Sequence, residues 1–151
     1  MTASALRMLV QVHGALAWLS VLALAGALLV ARWRPALVTR VVPAAVALGA
    51  AAFVTGVMLH GPFQRQLRQR LFLSSSALGW LFERKEHVAF GALALSGCGL
   101  FALWASVVAA RGAAPAAAIL RRAYLLALGA ALAFEVFALV VSIATARRVG
   151  F

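Results

Sequence analysis

Three acidic residues and three histidines are all that this chain of 151 residues contains. The acids are Glu83, Glu86 and Glu135, and the histidines are His13, His60 and His87. Few as they are, their types suit three chemistries. Imidazole and carboxylate together form a ligand set for iron, manganese and zinc. Two histidines on separate helices can ligate haem b through its iron. Carboxyl and imidazole groups inside a membrane also build proton and ion relays. Each chemistry requires the groups to meet, so the elements that carry them decide which is available.

Those elements are apolar. Hydrophobic residues make up 66% of the chain and charged residues 11%, against about 45–50% and about 25% in soluble domains. A water-soluble fold of this length could not hide that much apolar surface, whereas lipid can. A spanning helix needs about 20 mostly apolar residues, and four stretches qualify: residues 6–31, 41–60, 87–110 and 117–146. The first lacks a short apolar stretch followed by a cleavage site, so it reads as a retained span. The predicted fold is all-α: a single four-span domain over residues 1–151, built as an up-down four-helix bundle in a membrane.

The connections support that count. Arg32-Trp33-Arg34-Pro35 and Arg111-Gly112-Ala113-Ala114-Pro115 are short, charged and helix-breaking, so each should join antiparallel neighbours. Between the second and third spans, Gly61-Pro62 should break the helix. The Gln64–Leu73 stretch that follows, with Arg65, Arg68 and Arg70 against Leu67, Leu71 and Phe72, reads as an interfacial amphipathic helix. Ser74-Ser75-Ser76 should then form a turn or cap, and Trp80 an interfacial anchor.

The formal net charge of +11 does not indicate a nucleic-acid partner. The basic residues cluster at the ends of apolar runs, where lipid head groups attract them. Arg7, Arg65, Arg68, Arg70, Arg84, Lys85, Arg147 and Arg148 fall on the side of both termini, and Arg32, Arg34, Arg40, Arg111, Arg121 and Arg122 on the other. The excess of eight over six favours termini in the cytoplasm. The Ala-rich, Arg-over-Lys composition is that of a high-GC bacterium, which makes the expected location its inner membrane. The lone Cys98 excludes an internal disulfide and reads as a small packing residue.

On antiparallel helices all six titratable groups belong to the half of the bundle that holds the termini. Helical phase refines this, since residues three and four apart share a face. His13, Ala17 and Ser20 share one on the first helix; Gly49, Gly56 and His60 on the second; Glu83, His87, Gly91, Ala94 and Cys98 on the third; Tyr124, Ala131, Glu135, Ala138 and Ser142 on the fourth. Small residues mark the faces on which membrane helices pack, so the polar groups should point inward. Unpaired at mid-helix, Glu135 would cost about 2.5–3.5 kcal/mol, and His13 and His87 are its expected partners.

The leading expectation is a metal site (Fe, Mn or Zn), with redox chemistry open to the first two, formed by His13, His60, Glu83, His87 and Glu135. Glu86, about 100° around the helix from His87, would at best bridge to the site or support it from behind the ligands. Haem b is the alternative, with His13 and His87 as axial ligands, glycines making room for the macrocycle, and Arg84, Lys85 or Arg7 for its propionates. Two further readings are a proton- or ion-handling protein and a non-enzymatic subunit or assembly factor of a larger membrane complex, with a homo-oligomer as another way to complete a pathway. In the plainest reading the groups form only a hydrogen-bonded network. With no Asp in the chain, no Ser/His/Asp arrangement exists, and neither a phosphate loop nor a His-Glu-x-x-His motif is present.

Overall fold

The structure is a computed structural model that describes residues 3–149. Five α-helices and one 3-10 turn account for nearly all of it. Helix α1 spans Ala3–Trp33, α2 Val38–Gln66, α3 Arg68–Ser74, α4 Ser76–Ala109 and α5 Ala114–Val149, with the 3-10 turn over Pro35–Leu37. Four of them (α1, α2, α4 and α5) are long and apolar enough to cross a membrane.

Local chemistry sets the ends. Arg34, ahead of a proline, leaves the helical region at φ −138° and ψ 64°, as the steric clash with the proline ring requires. Pro115 lies in the first turn of α5, where its missing N–H has no helical partner to lose. Ser75 caps α4 by accepting a hydrogen bond from the Leu78 amide at 3.3 Å, which satisfies one of the free amides of a helix start.

Three boundaries differ from the sequence expectation. Gly61-Pro62 does not end α2, which runs on to Gln66 with Pro43 and Pro62 inside it. Each proline removes one backbone bond, but ending the helix in apolar surroundings would strand several more. Helix α4 begins at Ser76 rather than near residue 87, so Glu83, Lys85, Glu86 and His87 are helical positions and not part of a connecting loop. The amphipathic segment shortens to α3, and its Leu71 is fully buried against the protein. Phe72 lies beside Gly79 of α4, whereas Leu73 is exposed. Trp80 is exposed as expected and meets Phe72 edge-on.

The long helices form a ring. The main interfaces are α1 with α2 and α4 with α5, and smaller ones join α1 to α5 and α2 to α4. Cross-contacts give the register: Ser20 lies near Gly49 and His13 near Gly56, while on the other pair Gly91 meets Phe134 and Gly99 meets Leu128. Residue numbers therefore rise along one helix as they fall along its partner. Arg121 of α5 donates to the carbonyl of Ala31 at 3.3 Å, and Arg148 donates to the carbonyl of Ser74 at 3.4 Å. Both reach backbone carbonyls at or near helix ends, which lack helical partners.

Small residues share the interior with a few leucines and valines, while many of the large apolar side chains face outward. Ala27, Ala31, Ala45, Ala92 and Ala131 are buried, while Leu22, Leu29, Phe101, Trp104 and Leu126 are more than half exposed. A soluble bundle reverses that distribution. A continuous apolar core, including Leu24, Ala27, Val38, Val42, Leu103 and Leu128, fills the half of the bundle that contains the α1–α2 and α4–α5 connections. The other half holds a cavity.

Candidate functional site

The cavity has a volume of about 440 Å³, within the range of ligand sites. Each long helix changes character at the same level. On α1 the lining residues end at Val21 and the apolar core starts at Leu24. On α2 the lining ends at Gly49 and the core holds Ala45. On α4 the lining ends at Ser96, well before core residue Leu103; on α5 Glu135 lines the cavity and Ala131 belongs to the core. The cavity thus ends blind near Glu135, and toward the end with the termini it reaches Leu6, His60, Leu67 and Ala146.

Ser20 and Gly49 create the Glu135 position. The Ser20 hydroxyl donates to Glu135 Oε2 at 2.8 Å. A Cβ on Gly49 would stand 3.1 Å from Glu135 Oε1 and 3.2 Å from Ser20 Oγ, so the carboxyl occupies space that any larger residue would contest. The sequence reading expected His13 or His87 as its partner, and neither is bonded to it. A neighbouring serine does the work, and it was visible on the His13 face without being recognised as the partner.

His13 lies on the same wall, two turns nearer the termini. Its ring lies over Gly56, where an added Cβ would approach Cε1 to 3.0 Å. Nδ1 lies 3.0 Å from the Ala52 carbonyl and 3.2 Å from Thr55 Oγ1. A carbonyl only accepts, and the Thr55 hydroxyl donates to the backbone of Ala51 or Ala52, so Nδ1 must be the donor to both. The neutral ring then keeps Nε2 as an acceptor.

Lys85 and Ser142 occupy a comparable level across the cavity. Lys85 Nζ donates to Ser142 Oγ at 2.9 Å, and Ser142 in turn donates to the carbonyl of Ala138 at 2.8 Å. The ammonium also sits 3.9 Å from the centroid of Phe82, a cation–π distance. Phe82 is stacked on Phe63 at 3.9 Å, and both rings line the cavity. At the rim, His60 Nδ1 donates to Glu86 Oε1 at 2.8 Å, with both side chains substantially exposed.

Of the five expected metal ligands the cavity gathers three, His13, His60 and Glu135. Glu83 is outside, paired with Arg68 at 2.7 Å. His87 is exposed, and its Nδ1 meets only the Glu83 carbonyl one turn back, at 3.3 Å. The phase of α4 is the reason. Its lining face is Lys85, Ala89, Ala92 and Ser96 with Glu86 beside them, while Glu83, His87 and Cys98 point elsewhere. Small residues occur on both sides of α4, so small-residue periodicity could not choose between them. Cys98 is exposed rather than packed between helices, and Lys85, named in the sequence only beside Arg84 and Arg7 as a partner for propionates, is the one of the three that lines the cavity. Glu86, set apart from the ligand group in the sequence reading, is the α4 carboxyl on the cavity wall.

Among the described residues, no group of three His, Cys, Asp or Glu side chains is arranged to hold a metal ion. The spread explains this: Gly49 and Gly56, which floor Glu135 and His13, are seven residues apart, about 10 Å along a helix. His60 is engaged with Glu86 rather than free in the cavity. Compared with protein-family models, curated proteins and solved structures, the chain finds no significant match.

Proposed function

We propose that this protein is a four-span up-down bundle of a bacterial inner membrane that admits protons from the side of its termini to Glu135. One observation carries the reading. A cavity lined by titratable groups of every long helix runs from one end and stops at a carboxyl backed by a dry apolar core. The groups that face Glu135 along this route are His13 of α1, His60 of α2, and Lys85 and Glu86 of α4, with Ser20, Ser96, Ser142 and Thr145 as hydroxyl stations. Titratable side chains and hydroxyls at successive depths, with room for water between them, are the parts a proton relay needs. Because the core closes the other half, a complete pathway requires a partner subunit, a second copy or a conformational change. That requirement favours a role within a larger membrane complex.

Carbodiimide labelling in oriented proteoliposomes tests the proposal, because a carbodiimide reacts with a protonated carboxyl in apolar surroundings. Labelling of Glu135, located by mass spectrometry, is expected to increase as the pH on the side of the termini falls and to ignore the pH of the opposite side. Glu135→Gln should remain folded and lose that label. Labelling that follows the opposite side, or no labelling of Glu135 at any pH, rules the proposal out.

A haem or metal site is the second reading, favoured by the His13 geometry. An Nδ1–H held by a backbone carbonyl is the arrangement that presents Nε2 to a metal, and Lys85 could accept a propionate. The haem version predicts a Soret band in the purified protein that His13→Ala abolishes. A colourless, metal-free protein purified without chelator discards both versions.

A further inference from the structure

At the end of the molecule opposite the termini, α1 and α5 form a cleft lined by Leu28, Arg32, Ala118, Arg121, Arg122 and Leu125. Each helix contributes one face, since Leu28 and Arg32 are four residues apart and the α5 residues are spaced by three or four. The helices are antiparallel, as the Ser20–Glu135 and Arg121–Ala31 hydrogen bonds show. Arg32 lies in the last turn of α1, and Leu28 is one turn, about 6 Å, deeper. On α5, Arg121 stands one turn outside Leu125 in the same way. The cleft therefore has a cationic outer level and an apolar inner level. Exposed Trp33 adjoins the outer level, and a membrane interface favours tryptophan. All three arginines are exposed, and no carboxylate answers their charge. The acidic residues of the chain, Glu83, Glu86 and Glu135, lie beyond the apolar core. The ion pairs among the described residues, His60–Glu86 and Arg68–Glu83, leave the cleft out. Arg121 donates to the Ala31 carbonyl at 3.3 Å, which holds its guanidinium against α1 without neutralising it.

We propose that this cleft binds an anionic phospholipid of the surrounding bilayer, with its phosphate among Arg32, Arg121 and Arg122 and an acyl chain along Leu28 and Leu125. A guanidinium offers paired N–H donors that match the oxygens of a phosphate. The leucines one turn deeper add apolar contact that a free phosphate cannot use, and the small side chain of Ala118 leaves room between the helices. Net charge selects among lipids. A zwitterionic headgroup brings its own ammonium to three uncompensated cations, whereas an anionic headgroup without one brings only attraction. The lipid also completes the ring. Helices α1 and α5 are the first and last, no chain connection joins them, and their interface is one of the two smaller ones. A phosphate shared by Arg32 and Arg122 ties them together. The inference rests on the bilayer placement in the reading above and is independent of Glu135 accepting protons.

Native mass spectrometry of the full chain in detergent provides the test, with phosphatidylglycerol and phosphatidylcholine of matched chain length as probes. Wild type is expected to retain phosphatidylglycerol several-fold more strongly than phosphatidylcholine, and inorganic phosphate should not displace it. Arg32→Gln and Arg122→Gln should each lower that retention several-fold. Arg111→Gln, at the same end but outside the cleft, should not. Thermal unfolding gives a second readout. Without lipid the variants should melt as wild type does, because the arginines are exposed. Added phosphatidylglycerol should raise the Tm of wild type and Arg111→Gln but not of Arg32→Gln or Arg122→Gln. Equal retention of the two lipids overturns the inference, as does an equal loss in Arg111→Gln or full retention in both cleft variants. Displacement by inorganic phosphate also overturns it, since the occupant would then be the free ion. None of these results bears on carbodiimide labelling of Glu135. A chain that fractionates with soluble protein would remove the bilayer placement, and this inference with it.

Discussion

Glu135 is tolerable in this interior because its surroundings are built to its size. One oxygen takes the Ser20 hydroxyl and the other lies against Gly49, which has no side chain to compete for the space. Gly49→Ala would set a methyl group 3.1 Å from one oxygen and 3.2 Å from the serine, tighter than van der Waals packing permits. Overpacking of this kind costs about 1–3 kcal/mol. We expect Gly49→Ala to lose that much stability in detergent unfolding. Gly14→Ala, where an added Cβ meets nothing within 4 Å, should lose little. Equal effects of the two substitutions would mean that Gly49 has no special relation to the carboxyl. The residue types at this level, Glu135 and Ser20, were legible from helical spacing. Their pairing was not, because spacing places a residue on a face of its own helix and says nothing about which neighbour stands opposite.

Among the elements, α3 and the start of α4 show how far local chemistry reaches. The alternation of arginines with Leu67, Leu71 and Phe72 correctly indicates a short amphipathic helix. Its apolar face, however, was expected to rest on an interface, and Leu71 is fully enclosed by the protein instead. Helix α3 contacts α2, α4 and α5, so it covers the end of the ring as part of the packed structure. Truncating a buried leucine costs about 2–5 kcal/mol. Leu71→Ala should therefore destabilise the protein by an amount in that range, while Leu73→Ala, at a position 81% exposed, should change stability little. Matching losses at both sites would argue that α3 is not docked. Helix α4 taught the opposite lesson. With no strong contrast between its faces, its rotation about its own axis had to come from packing against α5, through Gly91 on Phe134 and Gly99 on Leu128. That rotation turned Lys85 and Glu86 toward the cavity and His87 away.

At the scale of the whole molecule, the polar and apolar halves make sense only together. A relay open at both ends would leak, and a uniformly packed bundle would give Glu135 no access to water. The observed arrangement places the cavity that reaches Glu135 in one half and fills the middle of the other with Leu24, Val42 and Leu128, each nearly or fully buried. The sidedness expected of Glu135 labelling is a property of this division and of no single residue.

The sequence by itself determined that the chain is helical, that four stretches are long and apolar enough to span a membrane, and that the titratable groups gather toward one end. Those properties follow from hydropathy, from helix-breaking residues and from the constant rise of a helix, all of which act along the chain. Tertiary structure alone decided which groups share a cavity. It admitted Lys85 and Glu86, excluded Glu83 and His87, and gave Glu135 a serine in place of a histidine. The physical reason is rotational. Large apolar residues occur on every face of these helices, so the fit of small residues between neighbouring helices sets each helix's angle about its axis, and that fit is not written in any helix alone.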